Sequence, residues 1–312
     1  MKPVLIALCG PTASGKSSLA MRLAKELPIE IVGMDAFQIY EHLNIGTAKP
    51  TLEEMQQVPH FMIDIAHPNM PYSVAQYRED AMKCIDDILS RNKLPVLVGG
   101  TGMYLRALSL PLSYGGKQSD LNLRKKYEEY ADKNGNIALH ELLKDKDPKT
   151  YDRLHPNDTR RIIRALEVWH LTGVAFSEQE MPKYSDGKYN ILPFAFDWDR
   201  DILYQRINER TEQMFCDGLL KELEDILAMG VSPNAQSMQA IGYKECIPCL
   251  NGEYSVYEAK SLVQLHSRQY AKRQLTWFRK DERLTWLKPA EGLDAAVKTI
   301  LNKKKETENA KH

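Results

Sequence analysis

The chain has 312 residues, 43% of them hydrophobic and 27% charged, and its 42 Lys and Arg balance 42 Asp and Glu to a formal net charge of zero. It is long enough to bury a sizeable core, but it carries no global field that would draw it to a polyanion, so an anionic partner must meet local basic patches. Five scattered cysteines (Cys9, Cys84, Cys216, Cys246 and Cys249) argue against a disulfide framework, and no stretch reaches the apolar length of a membrane span.

The first residues form a short apolar run that leads into a glycine loop. A secretory leader needs a longer apolar region and a small-residue cleavage site, so residues 3–9 read as a buried first strand of a soluble, cytoplasmic protein. Residues 17–27 place Leu19, Leu23 and Leu27 on one helical face. Residues 30–34 read as a second strand ending at Asp35, residues 74–89 as an amphipathic helix, and residues 94–98 as a third strand running into Gly99, Gly100, Thr101 and Gly102. This alternation is the signature of an α/β fold with a parallel sheet.

The character then changes. Residues 113–116 are a turn-rich break, residues 119–177 are helical, charged and almost strand-free, and residues 183–189 are a second break. A strand pattern resumes at 191–196, long helices follow over 200–229 and 256–279, and the lysine-rich residues after Leu301 are expected to fray. There is no internal repeat. The expected architecture is an α/β, P-loop NTPase-like parallel-sheet core (residues 1–115 and 191–312) interrupted by an all-helical insertion (residues 116–190).

Gly10, Pro11, Thr12, Ala13, Ser14, Gly15, Lys16 and Ser17 match G-x-x-x-x-G-K-[ST] in full, between a strand and a helix. Glycines let backbone N–H groups converge on phosphate oxygens, and the helix start adds partial positive charge. Lys16 supplies a full charge, and Ser17 offers a hydroxyl to Mg²⁺. The loop implies a bound polyphosphate without saying which, and a kinase or ATPase is the ordinary reading of such a loop alone. Asp35 stands where the C-terminal ends of strands open onto the ligand crevice. There it fits three roles: Mg²⁺ ligand, base, or helix cap. Cys246 and Cys249 form a lone C-x-x-C with no second pair to complete a zinc site, and His60 reads as a packing residue.

Beyond the phosphate loop, the sequence has Asp35-x-x-Gln38-x-Tyr40, Ile45-Gly-Thr-Ala-Lys-Pro50, Val58-Pro-His60, Asp64-Ile65 and Leu97-Val-Gly-Gly-Thr101. It continues with His155-Pro-Asn-Asp158, Arg164-Ala-Leu-Glu-Val168, Ile241-Gly-Tyr243 and Tyr270-Ala-Lys-Arg-Gln-x-Thr-Trp-Phe-Arg279. Together these segments resemble the tRNA dimethylallyltransferases, also called isopentenyl-diphosphate:tRNA transferases, across nearly the whole chain. Ala36 departs from the serine common in that family, and Phe37 from the usual Met or Ala.

The resemblance implies transfer of a dimethylallyl group from dimethylallyl diphosphate to N6 of the adenosine 3′-adjacent to the anticodon, with release of diphosphate and Mg²⁺ as cofactor. Asp35 would take the N6 proton, Thr101 would hydrogen-bond the leaving group, and Lys16, the loop amides and Arg210 would stabilise its charge. Arg206 lies near Arg210 at the start of the same helix, and one of the two is expected to reach the diphosphate. The segments implied to meet the tRNA anticodon stem-loop are Asp35, Ala36, Phe37, Gln38 and Thr101, then Arg124, then Arg160, Arg161, Ile162, Ile163 and Arg164. Gln239, Ala240, Ile241, Gly242, Tyr243 and Lys244 follow, and last come Lys272, Arg273, Gln274, Leu275, Thr276, Trp277, Phe278 and Arg279. Basic and aromatic residues together suit phosphate contact and base stacking, although a helix that shows its charges and buries its aromatics has the same pattern. The chain is expected to act as a monomer. Three other readings fit parts of the pattern: a small-molecule kinase or ATPase, an isopentenyltransferase of free adenine nucleotides, and a non-catalytic RNA-binding module. The helical insertion and the 272–279 segment count against the second, and the intact loop with Asp35 and Thr101 counts against the third.

Overall fold

The structure, a computed structural model, describes residues 2–111, 120–179 and 183–310. The chain divides into two compact units, one of Met1–Ser109 with Gly187–His312 and one of Leu110–Asp186. Among the described residues no helix is long and apolar enough to cross a membrane.

The first unit is built on six strands: β1 (Val4–Cys9), β2 (Ile29–Gly33), β3 (His60–Phe61), β4 (Leu94–Val98), β5 (Asn190–Phe196) and β6 (Thr285–Leu287). They pair in the order β3-β2-β4-β1-β5-β6, every pair parallel. The α/β core expected from the alternating pattern is therefore present. Each central strand is apolar on both faces, because helices cover both. Leu5, Ala7, Cys9, Val32, Met34 and Leu97 pack on one side, with Tyr77, Ala81, Ile85 and Ile88 of the Val74–Ser90 helix. Ile6, Leu8, Ile31 and Val96 pack on the other, with Leu19, Ala20 and Leu23 of the Lys16–Leu23 helix and with Ala296, Val297 and Ile300 of the Gly292–Asn309 helix. A third cluster joins Ile39, Tyr40 and Leu43 to Leu219, Leu223, Ile226, Met238 and Tyr243.

Several expectations need correction. The first helix stops at Leu23 rather than 27, and residues 24–26 follow as a turn; Pro28 would in any case disfavour helical backbone at Leu27. The 200–229 helix is two helices, Arg200–Cys216 and Leu219–Ala228, split at Gly218, whose φ of 99° breaks the right-handed path. The residues after Leu301 do not fray as a coil: they continue the Gly292–Asn309 helix, with Lys304 paired to Glu308 one turn on. His60 lies in the short edge strand β3, and neither β3 nor β6 was expected. The 113–116 break lies outside the described residues, and the second break contains a short turn of 3₁₀ helix at Tyr184–Asp186.

Among its described residues the second unit holds four α-helices: Leu121–Asn134, Asn136–Glu141, Pro148–Arg153 and Thr159–Thr172. Leu139, Leu143, Ile162, Ile163, Ala165 and Leu166 form its core. Asp147 and Glu167 are also fully buried there.

Candidate active site

Three loops leave the C-terminal edge of the sheet side by side. Gly99 N–H donates to Leu8 O (3.1 Å), Met34 N–H to Val98 O (2.7 Å) and Thr101 N–H to Met34 O (3.1 Å), so the ends of β1, β2 and β4 are stitched together. Gly99 must be glycine, because a Cβ there would run into the Met34 backbone.

The phosphate loop follows β1. Gly10, Ala13 and Gly15 all have positive φ (122°, 61° and 90°), which turns the loop back on itself before the Lys16–Leu23 helix begins. The non-glycine Ala13 is held in that conformation from outside. Arg206 Nε donates to Ala13 O (2.9 Å), Trp198 Nε1 donates to Ser14 O (2.9 Å), and the Arg206 guanidinium lies 4.6 Å over the Trp198 ring. Arg206 is thus a brace behind the loop, a role its sequence position did not suggest. Arg210, one turn further along the same helix, is the arginine that shares the electrostatic surroundings of Lys16 and Asp35.

Lys16 Nζ donates to the Pro11 carbonyl of its own loop (2.6 Å). Its pKa is lowered to about 8, first by burial and then by the positive charge of Arg210, against an upward pull from the carboxylate of Asp35. Two buried polar atoms here lack hydrogen-bond partners, Ser14 Oγ and Arg210 Nε. Unsatisfied donors beside a lysine and a turn of converging amides are suited to anionic oxygens. Ser17 is exposed at the first turn of the helix, with its hydroxyl open to solvent. Among the described residues no group of three or more His, Cys, Asp or Glu could hold a metal. Any Mg²⁺ would therefore rest on the Ser17 hydroxyl and the ligand's own oxygens, which fits a cation that keeps waters and takes few protein ligands.

Asp35 and Thr101 come from the other two loops. Asp35 Oδ1 accepts N–H bonds from Phe37 (2.9 Å) and Gln38 (3.3 Å), so it closes the turn at residues 36–39; no helix begins there for it to cap. It leaves the second carboxylate oxygen to other work. Thr101 Oγ1 accepts the Ala36 N–H (3.2 Å), which ties the two loops together. Tyr270 stands against them, its hydroxyl in reach of Thr101 and Gln274. Burial, helped by the charge of Asp35, raises its pKa to about 12.

The expected RNA-facing residues separate into two groups. Lys272, Arg273, Thr276, Trp277 and Arg279 are exposed along the Val256–Phe278 helix and its end, as are Gln239 and Lys244, and Arg160 and Arg161 in the helical unit. Others are interior. Ile162, Ile163, Ala240, Gly242, Tyr243, Gln274 and Phe278 are buried and Leu275 is half-buried, so their side chains build the scaffold and do not present a surface. Tyr243 donates its hydroxyl to Glu222 (2.6 Å) and accepts the Gly46 N–H (3.2 Å), and Glu222 also accepts the Asn44 and Ile45 N–H groups (3.1 and 2.9 Å). This pair holds the loop that follows Asp35. Gln38 spends its amide on the Thr47 and Ala48 carbonyls of that loop (both 3.1 Å), while Ala36 and Phe37 are half-buried against core clusters and Ile241 is half-buried with Tyr243. Arg124 and Arg164 both bond Glu167 (2.8 and 2.5 Å) in the helical unit. Burial alone would raise the Glu167 pKa, but these two arginines hold it below the ordinary carboxylate value. Cys246 and Cys249 are free thiols.

Two family models match, described as IPP transferase over residues 38–281 and as isopentenyl transferase over residues 3–69. The chain is 45% identical over 303 residues to the tRNA dimethylallyltransferase of Geobacter sulfurreducens, covering 97% of each. It is 42% identical over 303 residues to that of Oceanobacillus iheyensis, covering 97% of this chain and 96% of the relative. Among solved structures, it resembles the full-length tRNA isopentenylpyrophosphate transferase of Bacillus halodurans (38% identity, TM-score 0.74, all of both chains). It also resembles a eukaryotic dimethylallyltransferase acting on tRNA (26% identity, TM-score 0.82, 98% of this chain and 80% of that one). With the phosphate loop, Asp35 and Thr101 held at one sheet edge, and with matches running almost end to end, this chain belongs to the tRNA dimethylallyltransferase (IPP transferase) family.

Proposed function

We propose that the protein transfers a dimethylallyl group from dimethylallyl diphosphate to N6 of the adenosine 3′-adjacent to the anticodon of tRNA. The observation that carries this reading is a carboxylate standing beside a phosphate loop: Asp35 acts electrostatically on both Lys16 and Arg210. Such a site can stabilise a departing anion and accept a proton within one space. The relatives' names, all tRNA transferases of this kind, support the acceptor and the transferred group.

An adenine amino group is a poor nucleophile because its lone pair is spread into the ring. It attacks the allylic carbon as the carbon–oxygen bond to diphosphate breaks, and the leaving group takes that bond's electron pair. Lys16, Arg210 and the loop N–H groups face the charge that builds on the diphosphate. Thr101, whose oxygen accepts the Ala36 N–H and whose hydroxyl lies in reach of Tyr270, would donate its O–H to the leaving oxygen. Asp35 takes the N6 proton through the oxygen that does not hold the backbone. Mg²⁺, held at Ser17, would add positive charge over the same phosphates. The exposed Lys272, Arg273 and Arg279 would meet RNA phosphates, and the exposed Trp277 a base or ribose face. The target base must leave its stack to react. On this reading the protein works as a monomer, which its mass in solution would test.

The test is incorporation of label. The protein is incubated with labelled dimethylallyl diphosphate, Mg²⁺ and an anticodon stem-loop carrying an adenosine 3′ to the anticodon. Parallel reactions offer AMP as acceptor, or labelled ATP in place of the donor. Label in the RNA and not in AMP is expected. Label in AMP alone, or phosphate released from ATP without allyl transfer, overturns the reading.

A further inference from the structure

Gln274 lies on the Val256–Phe278 helix and is only 5% exposed. Its amide is used at both ends. Oε1 accepts the Thr12 N–H of the phosphate loop (3.1 Å), and Nε2 donates to Gly100 O (2.9 Å), the residue before Thr101. One side chain therefore ties the loop after β1 to the loop after β4. The fit is close, because a Cβ at Gly100 would collide with Gln274 Nε2. One turn before Gln274, Tyr270 reaches Thr101, and one turn after it Phe278 is buried against the sheet. The residues between them, Lys272, Arg273, Thr276 and Trp277, face outward. The Trp277 ring also lies so close to Gly102 that a Cβ there would strike it.

We infer that Gln274 is a positioning residue that sets the phosphate loop and links it to the outward face of its helix, so that occupation of that face and diphosphate binding strengthen one another. The link rests on the proposed tRNA reading; the setting of the phosphate loop does not. Gln274 touches no reacting atom. It fixes the Thr12 amide and, through Gly100, the backbone that carries Thr101. A ligand that holds the helix in place also holds both loops, and by reciprocity diphosphate on the loops favours the ligand on the helix.

The experiment uses the full chain as wild type, Gln274→Met and Gln274→Glu. Methionine keeps the length of the side chain and removes both hydrogen bonds, whereas glutamate keeps the acceptor for Thr12 and sets an oxygen against Gly100 O. Inorganic diphosphate affinity is measured by calorimetry with Mg²⁺ present, and stem-loop affinity is measured with and without diphosphate. Thermal melting checks that each variant folds. Gln274→Met is expected to lose about tenfold in diphosphate affinity, in line with two neutral hydrogen bonds. Its stem-loop affinity without diphosphate should stay within twofold, and the mutual strengthening seen in the wild type should vanish. The glutamate variant should bind diphosphate more weakly still, through charge repulsion. Unchanged diphosphate affinity in either folded variant overturns the proposal whether or not RNA binds, and mutual strengthening preserved in Gln274→Met overturns the link. A wild type that binds diphosphate but no stem-loop instead sinks the tRNA reading.

Discussion

The two units use the same residue types in opposite ways. In the sheet unit, Lys16 and Arg210 crowd one another with Asp35 close by, and buried donors at Ser14 and Arg210 have no protein partner. In the helical unit, Arg124 and Arg164 close on a fully buried Glu167, which also accepts the Asp120 N–H (2.9 Å). The first arrangement holds positive charge in excess where it is hard to solvate, so it favours an anion from outside. The second carries its own counter-charge and is settled as architecture. A basic residue thus becomes a ligand site when the fold withholds its partner, and a strut when the fold provides one.

Substitutions can break or sharpen this contrast. The largest effect is expected from Asp35→Asn, which keeps an oxygen for the Phe37 and Gln38 N–H groups but removes the base. Turnover should fall by roughly 10²–10⁴, while diphosphate affinity and melting temperature hold; an unchanged kcat removes Asp35 from that role. Lys16→Ala should weaken diphosphate binding about 10- to 100-fold, as expected for a charge-assisted hydrogen bond, and calorimetry reads this directly.

A pH series sharpens the same point. Lys16 loses its proton near pH 8, whereas the ester's own phosphate ionises at about 6. Donor affinity should therefore fall above pH 8, by at most about tenfold per unit, and Lys16→Arg should flatten the curve. In the helical unit, Glu167→Ala should cost about 2 kcal/mol, less than a fully buried pair because both arginines reach solvent. Faster hydrogen exchange across residues 121–172 with unchanged diphosphate affinity would show it. The Glu167 pKa is depressed by folding, so its contribution is complete above the ordinary carboxylate range and is lost as pH falls through the folded value. The smallest effects belong to the exposed Arg160 and Arg161. Each change to Ala should lower stem-loop affinity a few-fold and reduce the salt slope by roughly 1, with no change in melting temperature.

The parts of the site legible in the sequence were those contiguous in it. The phosphate loop announces itself in eight consecutive residues, and Asp35 and Thr101 each directly follow a recognisable apolar strand. The parts that escaped are cross-chain braces. Trp198 and Arg206 meet the loop from more than 180 residues away, and Gln274 from 262. Arg206 and Gln274 stood among the named residues, but their bracing role did not show, because a helix position looks the same whether it faces a carbonyl or a phosphate. Glu167 sat in plain view three residues after Arg164, yet its burial depends on how four helices pack. Gly218 was overlooked for a different reason: its neighbours keep helical periodicity on both sides, so only its φ reveals the break.

The turn closed by Asp35 also makes its two carboxylate oxygens unequal. Oδ1, which holds two backbone N–H groups, has its lone pairs drawn toward them and is the weaker acceptor. Oδ2 is therefore the oxygen left clear of the backbone, and the group cannot spin to exchange the two without letting go of the chain. A flexible side chain has in this way been made directional, with one oxygen tied and the other held at a fixed bearing.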